Sequence, residues 1–271
     1  MSISREEETA GAIEHFEDAA LYDHDYRRRR VDIQFYRTLA AEHGGPVLDL
    51  ACGTGRLMVP LLRDGHTVVG LDHAPAMLAR AAQKIARLPR ARRARALLVR
   101  ADLRRFALRA RFGFAVAAFH SVQHLVSDRQ LLAFLAAARR ALVPQGWLAF
   151  DVFAPARSFL QRDETRRWDR TPFRDPTTGQ RLVYTINHHL DRRRRALLMR
   201  MYYLPVDRRG RATGPERVLR LCHRQLTPAE VGTLVERAGL RLIASWSDFT
   251  GTPLREDSET EQHIYLCSNP R

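Results

Sequence analysis

The densest chemistry in the sequence lies between Val47 and Asp72. Val47-Leu48-Asp49-Leu50 is a short apolar run interrupted by one carboxylate, and Ala51-Cys52-Gly53-Thr54-Gly55 follows as a glycine-rich turn into helix-forming sequence. Glycines at such a turn let the backbone pass close to a ligand. Further on, Val68-Val69-Gly70-Leu71 ends in Asp72, the place from which an acidic side chain takes two ribose hydroxyls. The pair describes both ends of a nucleoside site.

Two kinds of nucleoside ligand compete for that pattern. A nicotinamide or flavin site would carry a third glycine where Met58 stands, and Asp49 sets a negative charge where a pyrophosphate needs donors. A ligand without phosphate fits better. S-adenosylmethionine offers adenosine to the carboxylate and a methionyl ammonium to the acidic loop, and its sulfonium tolerates acidic surroundings. Neither NAD nor FAD is expected to bind.

Other residues have acid–base or recognition chemistry. His120 and His124 stand four apart after an apolar run, and either suits a proton acceptor because imidazole titrates near pH 6.5. Each also suits a satisfied structural role. Tyr22 and Tyr26 flank Asp23, His24 and Asp25 on helical sequence. Adjacent residues on a helix do not face one another, so no metal site is expected there. The tyrosines either pack a helix or line the mouth of an active site.

These residues need a scaffold that brings strand ends together. Val47–Leu50, Thr67–Leu71, Leu97–Val99, Phe114–Phe119 and Trp147–Phe153 read as buried strands, with amphipathic segments Ala76–Leu88 and Gln130–Leu142 between them. That alternation calls for right-handed crossovers and a parallel sheet covered on both faces. Ser127 and Gln130 form a capping-box signal, with Pro144 and Gly146 punctuating the far end. Thr227, Pro228, Glu230 and Gly239 bracket another helix. Arg241–Asp248 and Gln262–Leu266, joined by a polar connection, read as an antiparallel pair at the sheet's end.

The expected fold class is α/β. It is a Rossmann-like, seven-stranded, mostly parallel sheet with helices on both faces and an antiparallel β-meander inserted after the fifth strand. Residues 1–45 form a helical cap, 46–150 and 226–271 the cofactor-binding core, and 151–225 the insertion. Within it, Leu182–Leu190, Ala196–Leu204 and Glu216–Arg224 read as three strands joined by polar turns. Since ligands of open α/β sheets bind at the strands' C-terminal edge, the insertion is placed to act as a lid or as a surface pairing two subunits. Trp168, Tyr184, Tyr202 and Tyr203 are its candidate acceptor-facing residues.

Bulk properties narrow the partners. The chain has 271 residues, 45% of them hydrophobic, enough for a full core. No apolar stretch reaches membrane-spanning length and the acidic N-terminus lacks a secretion-signal layout, so a cytoplasmic location is expected. The three cysteines read as reduced thiols. The net charge of +15 raises nucleic acid as a partner, but the excess is almost wholly arginine and scattered, which reads as solvated surface.

Across about Tyr22 to Leu266 the sequence resembles the class I S-adenosylmethionine-dependent methyltransferases. Asp49 to Gly55 is similar to their first motif, which implies cofactor contacts from Asp49, Ala51, Gly53 and Gly55. Asp72, followed by Pro75, Met77 and Leu78, resembles their ribose-binding strand end, with Met77 either an adenine contact or plain core. Ala101-Asp102-Leu103 looks like their adenine-facing turn, and Phe119 to Leu125 occupies the place where the family lines its methyl-transfer site. The insertion is similar to that of subfamilies acting on metabolites, among them sugar-amine and glycine N-methyltransferases. The resemblance implies N- or O-methylation of a small molecule, with carbon as a further possible acceptor. An RNA methyltransferase and a binding protein without turnover are the competing readings.

Overall fold

A computed structural model describes residues 2–255 and 260–270. In chain order it contains α1 (Arg5–Ala10), α2 (Ala19–Asp25), α3 (Val31–His43), β1 (Val47–Leu50), α4 (Met58–Asp64), β2 (Val68–Asp72), α5 (Pro75–Ala86), α6 (Arg90–Arg93), β3 (Ala96–Arg100) and β4 (Phe112–Ala117). There follow α7 (Asp128–Ala141), β5 (Leu142–Phe153), α8 (Arg157–Leu160), β6 (Trp168–Arg174), β7 (Arg181–Asp191), β8 (Ala196–Pro205), β9 (Arg217–Arg224), α9 (Pro228–Arg237), β10 (Arg241–Trp246) and β11 (Gln262–Ser268). The chain divides into two compact units, one of residues 29–156 and 226–271, the other of residues 1–28 and 157–225.

The larger unit is a seven-stranded sheet in the order β10-β11-β5-β4-β1-β2-β3. β1 pairs in parallel with β2 and β4, β2 with β3, and β4 with β5. β11 runs antiparallel to both β5 and β10. Side-chain alternation along β1 splits the core. Leu48 and Leu50 join Phe134 and Leu135 of α7 and Leu234 and Val235 of α9, while Val47 joins Tyr36 and Leu39 of α3 and Met58 and Leu61 of α4. Helices thus cover both faces of a mostly parallel sheet. The strand order reverses beside β1, the switch point at which such sheets bind ligands.

Several local expectations change. β3 is not a buried strand: it lies at the sheet's edge, where Leu97 is 57% exposed. Pro144 and Gly146 do not stop a helix in a loop, because α7 ends at Ala141 and they fall inside the early part of β5. At Ser127 the side chain accepts from the Gln130 amide, and at Thr227 both halves of the capping box with Glu230 are present. The connection between β10 and β11 includes residues 256–259, which lie outside the described residues.

The smaller unit is a four-stranded antiparallel sheet in the order β6-β7-β8-β9. β6 is a strand that the periodicity missed. Its residues Asp169 to Pro172 are exposed and Pro172 interrupts the pattern, which an edge strand tolerates. Residues 2–28 belong to the same unit as this sheet, whereas α3 belongs to the larger unit. Gly11 is required by close approach, since a Cβ there would stand 2.6 Å from Cys222 Cβ. Ile3 is buried with Leu198 and Cys222, and Glu7, Glu8, Glu14 and Asp18 pair with Arg200, Arg194, Arg220 and Arg217 of the meander, Arg194 from the β7–β8 turn and the others from its strands. Cys52, Cys222 and Cys267 are all buried free thiols.

Candidate cofactor site

β1 ends in Leu50, and the turn beyond it is held in a conformation that most side chains resist. Ala51, Gly53 and Gly55 all have positive φ, at 57°, 53° and 76°. A Cβ added to Gly53 would meet nothing within 4 Å, so this face of the loop opens onto space, as a ligand cradle requires. The Gly53 amide donates to Asp72 Oδ2 at 2.8 Å, and the Ala74 amide donates to Asp72 Oδ1 at 2.9 Å. Each carboxylate oxygen carries two lone pairs, so both can accept a further hydroxyl. The loop and the β2 carboxylate are therefore one rigid piece.

Asp49 lies beneath this loop and is 2% exposed. Its Oδ2 has no hydrogen-bond partner among the described residues. Burial pushes the Asp49 carboxyl up to about 7, opposed by the nearby Arg56 cation and the Met58 amide and reinforced by Asp72. A buried carboxyl with an empty acceptor oxygen is costly unless a donor reaches it. A ligand ammonium would be such a donor, and a phosphate would not. Arg56 itself is clamped by Asp32, with Nη1 2.9 Å from Oδ1 and Nη2 2.5 Å from Oδ2.

The third strand-end carboxylate behaves differently. Asp102 is held by Arg104, whose Nη2 lies 2.5 Å and Nε 2.9 Å from Oδ2, and whose backbone amide donates to Oδ1. An adenine amino group would have to share this carboxylate with a guanidinium. Leu103 is partly buried against the core, and Met77 is fully buried at the start of α5.

Beyond β4 the chain turns through two consecutive left-handed residues, Phe119 and His120, both at φ 62°. Such strain in non-glycine residues needs compensation. Asp151 of β5 supplies it: fully buried, it accepts from the Phe119 amide at 2.8 Å and the His120 amide at 3.0 Å. Tyr36 of α3 donates to Asp151 Oδ1 at 2.5 Å, and His120 Nδ1 lies 2.9 Å from Oδ2. Burial acts to raise the Asp151 carboxyl, but His120, Tyr36 and the Phe119 amide together hold it below the ordinary carboxylate range. Gln123 adds a second brace, exchanging hydrogen bonds with the Phe153 backbone at 3.0 and 2.6 Å. The Phe119 ring has the Arg29 and Arg56 guanidinium carbons each 4.8 Å from its centroid. His124 closes the short 3-10 turn Ser121–His124.

Asp151 and Tyr36 were not legible as site residues in the sequence. The available signal was an isolated carboxylate inside the apolar run Trp147 to Phe153, which cannot be buried without donors. The candidate acceptor-facing residues occupy the smaller unit and do not all converge. Tyr22 packs on Tyr26 and His15, and the Tyr26 hydroxyl lies 2.9 Å from His15 Nε2. Tyr184 is directly opposite Tyr203, and Trp168 is opposite Ile186, so these share one face of the sheet. Tyr202 lies on the other face, its hydroxyl donating to Asn187 and its ring under Arg167.

A family model described as "Methyltransferase domain" matches residues 47–146. That stretch runs from the first residue of β1 into β5 and includes the glycine loop, Asp72, Asp102, Phe119 and His120. The chain is 32% identical over 137 residues to a dTDP-3-amino-3,6-dideoxy-alpha-D-glucopyranose N,N-dimethyltransferase from Streptomyces fradiae, covering 48% of this chain and 51% of that protein. It spans about half the length of the curated relatives it matches. Among solved structures it resembles the CcbJ methyltransferase from Streptomyces caelestis, with TM-score 0.74 and 21% identity over 94% of this chain and 98% of that one. It also resembles the amino pentose methyltransferase CalS10 from Micromonospora echinaspora, with TM-score 0.67 and 20% identity over 92% and 96% of the two chains. At these identities the structural likeness establishes the fold alone.

Proposed function

We propose that the protein is an S-adenosylmethionine-dependent methyltransferase acting on nitrogen or oxygen of a small metabolite. The observation that carries this reading is Asp49, a buried carboxylate with an unpartnered oxygen under an open glycine loop. That arrangement calls for a cationic, phosphate-free nucleoside. Asp49 would hold the ligand's ammonium, Asp72 its ribose hydroxyls, and Gly53 and Gly55 would let it lie against the backbone, with Ala51, Met77, Asp102, Leu103 and Phe119 around the adenosyl and sulfonium portions. When bound, the cofactor supplies an already activated methyl group on sulfonium.

The protein's remaining work is alignment and proton management. His120 is better built for the proton than His124, because the buried Asp151 carboxylate lies at its Nδ1 and orients the ring. His120 Nε2 then takes the proton from the acceptor's ammonium or hydroxyl. Acceptor choice is assigned to the inserted meander, which follows β5 in the chain. One curated relative is named as an N,N-dimethyltransferase of a dTDP-amino-sugar, which favours nitrogen as the acceptor atom.

Incubation with methyl-labelled S-adenosylmethionine and parallel panels of small amines, phenols and total RNA tests this reading. Label is expected in a small-molecule product, at least tenfold less with His120→Ala, with little in RNA. Label confined to RNA would transfer the assignment to nucleic acid, and no label anywhere would leave a binding protein.

A further inference from the structure

The glycine loop is tied from behind as well as from its ligand side. A hydrogen bond from the Gly55 amide to the Cys52 carbonyl, at 2.9 Å, closes the turn around Gly53 and Thr54. Side chains hold the two residues inside it. The Gly53 amide is fixed by Asp72, whereas Thr54 is buried at 1% exposure and its hydroxyl is reached by α5. Lys84 Nζ donates to Thr54 Oγ1 at 2.9 Å. Ala81 lies three residues earlier on the same helix face, and a Cβ added to Gly55 would stand 3.4 Å from its Cβ. Helix α5 thus meets the loop at two successive residues.

The residue type at position 84 fits this geometry. Lys84 is the single lysine of the chain, in which every other member of the 45 lysine and arginine residues is arginine. Arginines of the same unit grip carboxylates as forks: Arg56 binds Asp32, and Arg37 binds Asp64, through two nitrogens each. A threonine hydroxyl offers a single acceptor atom. A compact ammonium on a flexible stem suits it, and a planar guanidinium does not.

We infer that Lys84, acting through Thr54, is a positioning residue that holds the glycine loop in the conformation that receives the cofactor. Three of the loop's five residues, Ala51, Gly53 and Gly55, have positive φ, so the loop depends on such outside support to keep one shape. The inference rests on the proposed binding of S-adenosylmethionine at this loop.

Calorimetric titration of the full chain with S-adenosylhomocysteine and S-adenosylmethionine tests it, in wild type, Lys84→Met, Thr54→Val and the double variant. Methionine keeps the apolar stem without the donor, and valine keeps the shape of threonine without the hydroxyl. Lys84 is half-buried on the surface of α5, so the variants should fold, which thermal melts confirm. Each single variant is expected to bind both ligands at least tenfold more weakly, about 1.4 kcal/mol. The double variant should fall within about twofold of the weaker single one, because both changes remove the same bond. Lys84→Arg should recover part of the loss.

Ligand charge separates positioning from a field effect. S-adenosylmethionine carries one more positive charge than S-adenosylhomocysteine, so equal losses for the two identify loop geometry as the cause. Weaker S-adenosylhomocysteine with tighter S-adenosylmethionine would make Lys84 a source of charge alone and overturn the inference. Losses that add in the double variant would also overturn it, as would a folded Lys84→Met protein that melts lower but binds both ligands as wild type does. The two readings fail separately. Wild type that binds neither ligand removes the cofactor reading and this inference with it, whereas binding that is indifferent to Lys84 removes this inference alone.

Discussion

Replacing Asp151 with Ala is expected to destabilise the larger unit by about 3–5 kcal/mol, the range for breaking a buried charged cluster from one side. Four groups depend on that carboxylate: the Tyr36 hydroxyl, the Phe119 and His120 amides, and the His120 ring. Removing it leaves buried donors without acceptors and frees two left-handed residues to relax. Asp151→Asn is no remedy. An Asn amide has one acceptor oxygen, so its NH2 group must face either the His120 amide or the pair formed by Tyr36 and Phe119. Chemical denaturation measures the loss directly, and a change below 1 kcal/mol would show that the cluster is not structural. Tyr36→Phe removes one donor and is the milder probe. It should leave the fold intact, and methylation should fall if the Phe119–His120 turn loses its register.

The same carboxylate predicts a pH effect of definite sign. Its folded pKa is held below the unfolded value near 3.9, so its stabilisation is fully present above that value. It is lost as pH falls through the folded pKa. Acid unfolding below about pH 4 should therefore be less steep in Tyr36→Phe than in wild type.

Gly53→Val should abolish cofactor binding while leaving most of the fold. At φ 53° a β-branched residue is strained, at a cost of about 1–2 kcal/mol. The new side chain would project where no protein atom stands within 4 Å, which is the space assigned to the ligand. A loss of affinity for S-adenosylhomocysteine of at least 100-fold, about 2.7 kcal/mol, is expected. Calorimetry paired with urea unfolding separates the two effects. Undiminished affinity in a folded variant would move the cofactor away from this loop.

How much of this was readable before the structure depends on how local each signal is. The turn after β1, Asp72 at the end of β2 and the antiparallel β10–β11 pair follow from neighbouring residues alone. Periodicity cannot see an edge, so β3 read as buried and β6 did not read as a strand. The resemblance makes Asp102 the carboxylate of an adenine-facing turn, although Arg104, two positions away, captures it. Tyr202 and Tyr203 are adjacent in sequence and therefore face opposite sides of the sheet. Only strand register tells which of them shares a face with Tyr184. Asp151, Tyr36 and His120 come from three separate elements, and no spacing along the chain brings them together. The arginine excess reads as scattered charge, yet in the smaller unit four arginines hold the N-terminal segment in place.

The central claim is that the glycine loop binds a cationic nucleoside without phosphate. The most direct test is calorimetric titration of the purified chain with S-adenosylhomocysteine, S-adenosylmethionine, NAD and FAD under one set of conditions. Asp49 and Met58 both disfavour a pyrophosphate, so the two sulfur ligands should bind saturably and the dinucleotides should give no heat beyond dilution. Saturable NAD binding with no response to S-adenosylhomocysteine would contradict the account.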